Sequence, residues 1–120
     1  MKNFDIRLFL ECQHLAKFSQ HPVFRHGALV TNRTTIVGKG SNRSSLHAEV
    51  SALQNVQGGQ HMRLRVYVCR VNARGKFMNS KPCQNCMNYM KHRGVYRVYY
   101  SDDAGGFSKL VLRNHTPVLE

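Results

Sequence analysis

The chain has 120 residues, enough for one domain with a hydrophobic core and too few for two of ordinary size. Lys and Arg outnumber Asp and Glu by 18 to 6, a formal charge of +12, which favours polyanions such as nucleic acid, or phosphorylated small molecules. No apolar run approaches the ~18 residues of a membrane span, and the opening MKNFDIRLFLECQHLAKF carries Asp5 and Glu11 where a signal or transit peptide avoids acids; an intracellular, cytoplasmic protein with no membrane partner is expected.

Residues 4–18 place Phe4, Leu8, Leu15 and Phe18, with Ile6 and Cys12 nearby, at roughly helical intervals, and Pro22 closes the segment. GALVTN (27–32) and TIVGKG (35–40) are short, rich in aliphatic and β-branched side chains and separated by Arg33 and Thr34, so they read as a hairpin. SNRSS follows as a polar loop. Over 46–57, Leu46, Val50, Leu53 and Val56 recur at helical spacing, with Ser44 or Ser45 to cap the start and Gly58-Gly59 to end it. LRVYVCRV (64–71) is a β-branched run with the length of a central strand, and NARGKFMNSK loops toward Pro82. Proline suits a first helical turn, where the N–H it lacks would have no partner, so a third helix is predicted over 82–93. Lys91, His92 and Arg93 complement its C-terminal dipole and Gly94 stops it. VYRVYY (95–100) is another strand; after DDAGG, FSKLVL returns as a hairpin strand, because too few residues remain for a long crossover. This order implies one domain over 1–120, an α/β sandwich whose middle strands run parallel through right-handed crossovers.

Cys83 and Cys86 are three apart, whereas Cys12 and Cys69 lie far from them and from each other, unlike the dense pattern of a disulfide-stapled secreted domain. Cys12 and Cys69 read as small buried apolar side chains. Positions three apart are neighbours on a helix face, so Cys83 and Cys86 can point at a single ion. His47 and Glu49, two apart, diverge by about 200° on a helix. They can serve one centre only in the first turn, where a ligand beyond the helix end is approached from both sides of the axis. Two helix starts facing one point would build such a site. Zinc takes imidazole nitrogen and thiolate sulfur readily, and three protein ligands leave a fourth position for water, the catalytic arrangement. The metal lowers the pKa of that water to about 7, thiols near a helix N-terminus and a cation bind as thiolates, and Glu49, not itself a ligand, can carry the proton. A structural site with a fourth protein ligand is the competing reading, with His61, Cys69 or His92 available and none placed by a spacing rule. The five tyrosines read as core or interface packing before base stacking, and Met87 and Met90 as core filler or an oligomer contact.

His47-Ala48-Glu49, then 32 residues, then Pro82-Cys83-Gln84-Asn85-Cys86 resembles the H-x-E…P-C-x-x-C signature of the zinc-dependent cytidine and deoxycytidylate deaminase superfamily. The likeness spans about residues 24 to 101: GALVTNRTTIVGKGSN resembles the family's paired strands and following Gly-x-Asn, and SKPCQNCMNYMKHRGVYRVYYS its second metal helix and next strand. The resemblance implies a three-layer α/β/α sandwich of the cytidine deaminase type, a mixed five-stranded sheet with helices on both faces. It implies a zinc ion (Zn2+) on His47, Cys83 and Cys86, with Glu49 as proton shuttle. It further implies that Asn42 hydrogen-bonds the sugar, that the Ala48 backbone N–H contacts the base carbonyl, and that Phe24 and His26 line the base pocket. His26 departs from the aliphatic or small residue usual in its slot. The end of the chain lacks the extra helices of the tRNA-adenosine and polynucleotide-cytidine branches, which weakens a transfer of their substrates. The expected activity is hydrolytic deamination of cytosine to uracil in a nucleoside or nucleotide, and the expected assembly a homo-oligomer. The alternatives are editing of cytosine or adenine within DNA or RNA, motivated by the +12 charge and the loop 41–45 bearing Arg43, and a zinc-stabilised nucleic-acid-binding module without turnover.

Overall fold

The elements follow the order α1 (Asn3–Ala16), β1 (Arg25–Asn32), β2 (Thr35–Ser41), α2 (Ala48–Gln54), β3 (Leu64–Val71), β4 (Phe77–Met78), α3 (Gln84–His92), β5 (Val95–Ser101) and β6 (Phe107–Val111). The computed structural model describes residues 3–19, 23–42, 46–56 and 63–112, with the side chains of α1 from Ile6 onward. Pro22, Arg43, Ser44, Ser45, Gly58, Gly59 and His61 lie outside the described residues.

The strands form one mixed sheet in the order β2-β1-β3-β5-β6. The parallel pair is β3 and β5, while β1 lies antiparallel between β2 and β3. Arg33 and Thr34 reverse the chain, and α2 then carries it back past β1, so the strands joined by that crossover, β2 and β3, share a direction without touching. The segment read as a loop holds β4, whose Phe77 and Met78 pair with Val71 and Arg70. It continues the ladder on β3 where the pairing with β5 stops at Val68 and Tyr100.

Side chains alternate across a strand, and that alternation sets the layers. Ala28 and Val30 of β1 and Leu64, Val66 and Val68 of β3 face Ala48, Ala52, Leu53, Cys86 and Met90 from α2 and α3. Leu29, Tyr67, Cys69 and Val71 face Leu8, Phe9, Cys12 and Ala16 of α1 on the other side. The result is three layers, with helices on both faces. Each fully buried Val, Leu or Phe contributes roughly 1.5–3 kcal/mol relative to exposure, so the two clusters hold the sheet from both sides. The core stripe of α1 differs from the expected one: Phe9 and Ala16 are buried, whereas Ile6 and Phe18 are 45% and 64% exposed. The helix ends at Ala16 and turns through Lys17 and Phe18, which takes Phe18 off the helical face. Phe9 instead stacks on Phe107, with ring centroids 3.7 Å apart, and meets Tyr67 edge-on at 5.6 Å.

Both helices on the far face begin later than their patterns predict. His47 and Cys83 are extended N-caps, with ψ of 152° and 166°, so α2 and α3 start at Ala48 and Gln84. At the other end, Arg93 donates to Leu53 O at 2.9 Å and to Tyr89 Oη at 2.6 Å, satisfying a terminal carbonyl of α2 from the end of α3. Gly94, at φ 89°, stops α3 as expected. Among the described residues no helix is long and apolar enough to cross a membrane.

Candidate active site

The two late helix starts bring the chemistry together. His47 caps α2, Cys83 caps α3, and Cys86 sits in the first turn of α3, so all three meet where both helices open toward the same side of the sheet. His47 Nδ1 lies 2.9 Å from Cys86 Sγ and 3.9 Å from Cys83 Sγ, and the three ligand atoms fall within 4.8 Å of one another. Around tetrahedral zinc, with Zn–N of about 2.0 Å and Zn–S of about 2.3 Å, ligand atoms stand about 3.5–3.8 Å apart. The observed separations bracket that range, and the donor set of one imidazole and two thiols suits zinc. His47, Cys83 and Cys86 could therefore hold a metal ion, through Nδ1 of the histidine. Among the described residues no fourth His, Cys, Asp or Glu joins the group. Cys69 is buried against α1 on the opposite face and His92 closes the far end of α3, so neither serves as a structural fourth ligand; His61 lies outside the described residues.

Glu49 stands in the first turn of α2, two residues after the His47 cap, and is only 4% exposed. Burial pushes its carboxyl up, opposed by a hydrogen bond from its own backbone N–H and by the charge of His47. The same burial, reinforced by the charge of Glu49 and by Cys83, pushes the Cys86 thiol up; a cation beside the sulfur acts in the opposite sense. A carboxyl, an imidazole and two thiols thus share one site.

This cluster opens into a cavity of about 340 Å³, the size of small-molecule sites, lined by Phe24, His26, Asn42, Ala48 and Glu49 among others. Asn42 ties two of the expected pocket residues together: its Oδ1 accepts from His26 N at 2.9 Å and its Nδ2 donates to Phe24 O at 2.6 Å. Ser19 donates to Asn42 O at 3.3 Å, placing the chain after α1 beside the same wall. Leu46, Ser80 and Lys81 also line the cavity; they flank the two motifs, but no spacing rule marks them. Ser80 shows why it belongs there. Its hydroxyl donates to Val68 O at 3.1 Å and accepts from Ser101 N at 2.8 Å, while Ser101 Oγ donates to Met78 O at 2.6 Å. These bonds pin the segment before Pro82 across the ends of β3 and β5, and so fix where Cys83 begins α3. Arg70 contributes from outside, its guanidinium carbon 4.4 Å above the Phe24 ring.

A mixed sheet sandwiched between helices, with a His/Cys/Cys cluster at two facing helix starts, defines the class of cytidine deaminase-type α/β proteins with a metal centre. More narrowly, the chain belongs to the family described as the cytidine and deoxycytidylate deaminase zinc-binding region, which matches residues 2–102. Among curated protein sequences no relative matches. Solved structures share the fold at low identity. The dCMP deaminase of cyanophage S-TIM5 in apo form aligns with a TM-score of 0.70 at 19% identity, covering 86% of each chain; the same phage enzyme has also been solved in complex with dCMP and dUMP. The cytidine deaminase of Burkholderia pseudomallei aligns with a TM-score of 0.69 at 18% identity over 98% of each chain. Acinetobacter baumannii RibD aligns at 0.60 and 22% identity, over 82% of this chain and 28% of the longer one.

Proposed function

We propose that the protein hydrolytically deaminates cytosine to uracil in a nucleoside or nucleotide. The observation that carries this reading is the buried Glu49 carboxyl beside a three-ligand His/Cys/Cys cluster, facing a cavity of about 340 Å³. Zinc held by His47, Cys83 and Cys86 would supply a Lewis acid able to activate a water for attack near neutral pH. Glu49 takes a proton from that water and delivers one to the ring nitrogen and then to the departing amine, so that a C4–O bond replaces the C4–N bond and ammonia leaves. Burial of its carboxyl among the cavity walls keeps bulk water from competing for the proton it carries. The Ala48 N–H, at the first turn of α2 and without an intrahelical acceptor, is free to take the base carbonyl. Phe24 and His26 wall the base, and Asn42, which already braces both, offers its remaining amide valences to the sugar. Lys81 on the cavity wall supports a phosphate on that sugar, in line with the nucleotides bound by the phage enzyme of the same fold. The same reading includes a homo-oligomer, because Phe24 on the cavity wall is 45% exposed and Phe18 and Val23, shortly before it in the chain, are exposed as well, apolar surface that a second copy can cover.

Glu49→Gln tests the mechanism. Ammonia release from a panel of cytidine, deoxycytidine, their monophosphates and single-stranded DNA and RNA should fall by about 10²–10⁴-fold or more on whichever substrate is turned over, with zinc content unchanged. Full activity in this variant would remove Glu49 from the mechanism. Turnover confined to the polymers would move the substrate to nucleic acid, and zinc without turnover of any substrate would make the chain a binding module.

A further inference from the structure

At the end of the sheet remote from the metal centre, four arginines gather with no acid in an ion pair with them among the described residues. Arg33 comes from the β1–β2 turn, Arg63 and Arg65 from the entry to β3, and Arg97 from β5; the first three line a groove of about 710 Å³ beside Tyr96. The Thr31–Arg65 pair lies five rungs from the His26–Arg70 pair beside the active-site cavity, roughly 17 Å along the strands. Tyr96 is the hub. The guanidinium carbons of Arg63, Arg97 and Arg65 stand 4.7, 5.2 and 5.8 Å from its ring centroid, and Arg65 Nε donates to its hydroxyl at 2.9 Å. Three cations on one ring repel each other, and the one ion pair among the described residues, Lys39 with Glu11, lies elsewhere. The backbone adds a second observation: the two positive-φ residues other than glycine among the described residues are Arg33 at 58° and Arg63 at 61°. Glycine adopts that conformation without strain, and long side chains avoid it, yet both positions carry a guanidinium in this groove.

We propose that this face is a docking surface for the phosphodiester backbone of single-stranded nucleic acid, separate from the metal centre and independent of what is turned over there. Guanidiniums bind phosphate oxygens in pairs and offer flat surfaces for unpaired bases. They are spread over three chain segments, with Arg33 and Arg63 exposed, which suits successive phosphates of a strand better than a single small anion held in an enclosed pocket. The surplus of 18 basic over 6 acidic residues assists from a distance.

Fluorescence anisotropy with a labelled single-stranded DNA of about 20 nucleotides, titrated at several salt concentrations, tests the surface. Arg33→Ala/Arg63→Ala should weaken binding at least about tenfold and lower the slope of log affinity against log salt by about 1.4, two phosphate contacts at roughly 0.7 each. Arg74→Ala/Lys76→Ala, the same loss of charge at the other end of β3, should bind as the parent does, and so should Glu49→Gln. Arg33→Gly/Arg63→Gly should melt at a higher temperature and still lose the oligonucleotide, which separates loss of contact from loss of fold. Equal weakening in the Arg74/Lys76 variant, equal affinity for the corresponding duplex, or full displacement of the strand by inorganic triphosphate at matched phosphate concentration would each overturn the proposal.

Discussion

Arg70 lies outside every motif and yet governs a wall of the pocket. Its guanidinium covers the Phe24 ring at 4.4 Å, and its backbone N–H donates to Ser101 Oγ at 3.1 Å, within the network that also holds Ser80. Removing the guanidinium uncovers one face of the Phe24 ring while leaving the backbone bond of Arg70 in place. A partly desolvated cation–π contact is worth about 0.5–2 kcal/mol, so Arg70→Ala should raise KM by roughly 2- to 30-fold and change kcat far less; steady-state kinetics on the substrate identified by the panel measures the split. Tyr96 gives a prediction in pH. Partial burial pushes its phenol up, but the hydrogen bond from Arg65 and the charges of Arg65, Arg97 and Arg63 outweigh that and hold it below the usual tyrosine range. The folded state therefore favours the phenolate. The resulting stabilisation is absent at neutral pH, grows as pH rises through the lowered folded value, and is complete above about 10, where an unfolded tyrosine ionises. Absorbance at the phenolate band should show one of the five tyrosines titrating ahead of the rest, and that early step should vanish in Tyr96→Phe and move upward in Arg65→Ala.

The seat of α2 on β2 carries the site at the scale of elements. A Cβ on Gly40 would lie 2.5 Å from Ala52 N, and one on Gly38 2.4 Å from Ala52 O, so the helix rests directly on a strand surface kept bare. Gly40→Ala must push α2 away, and with it the His47 cap and Glu49 at its start. Overpacking of this kind costs about 1–3 kcal/mol; the variant should lose stability by that amount in denaturant titration and retain less than one zinc per chain. Such seating explains what was readable in the linear chain and what was not. The strands at 27–32, 35–40, 64–71 and 95–100 fall within β1, β2, β3 and β5, because alternation or β-branched content marks them locally. The metal cluster was equally visible, since His47, Cys83 and Cys86 come from two short motifs whose spacing matches helix geometry. The two-residue β4 is not, because Phe77 and Met78 are too few to display a strand's alternation and are held in place by their pairing with Val71 and Arg70. The stripe of α1 escapes the local pattern for a related reason: Phe9 is buried against Tyr67 and Phe107, from strands far along the chain. The places of Ser80 and Lys81 in the cavity wall depend likewise on where β3 and β5 end.

Across the whole molecule, the metal centre joins distant parts of the chain. His47 and Cys83 are separated by the whole of β3 and β4, and an ion gripping both would tie the start of α2 to the start of α3 at the open edge of one core layer. The remainder of that layer does not depend on the tie. Val30, Val66, Val68, Met90 and Val98 are fully buried between the sheet and the two helices, and none of them is a ligand. Removing the metal should therefore loosen the helix starts and lower stability without erasing the sheet. An ion present at about 1,000 times its dissociation constant adds about 4 kcal/mol to the folded state, on the order of 10–20 °C in the melting temperature of a domain this size. Dialysis against a chelator should lower the melting temperature by that amount, keep the far-ultraviolet circular dichroism of the sheet, and abolish ammonia release; one equivalent of zinc should restore all that was lost. Cys86→Ser should behave as the chelated protein whether or not zinc is added, because Cys86, the buried one of the two cysteines, would form the inner jaw of the clamp. A chelated protein that melts at the parent temperature would show that the ion does not bridge the two helices, even if the enzyme still required it.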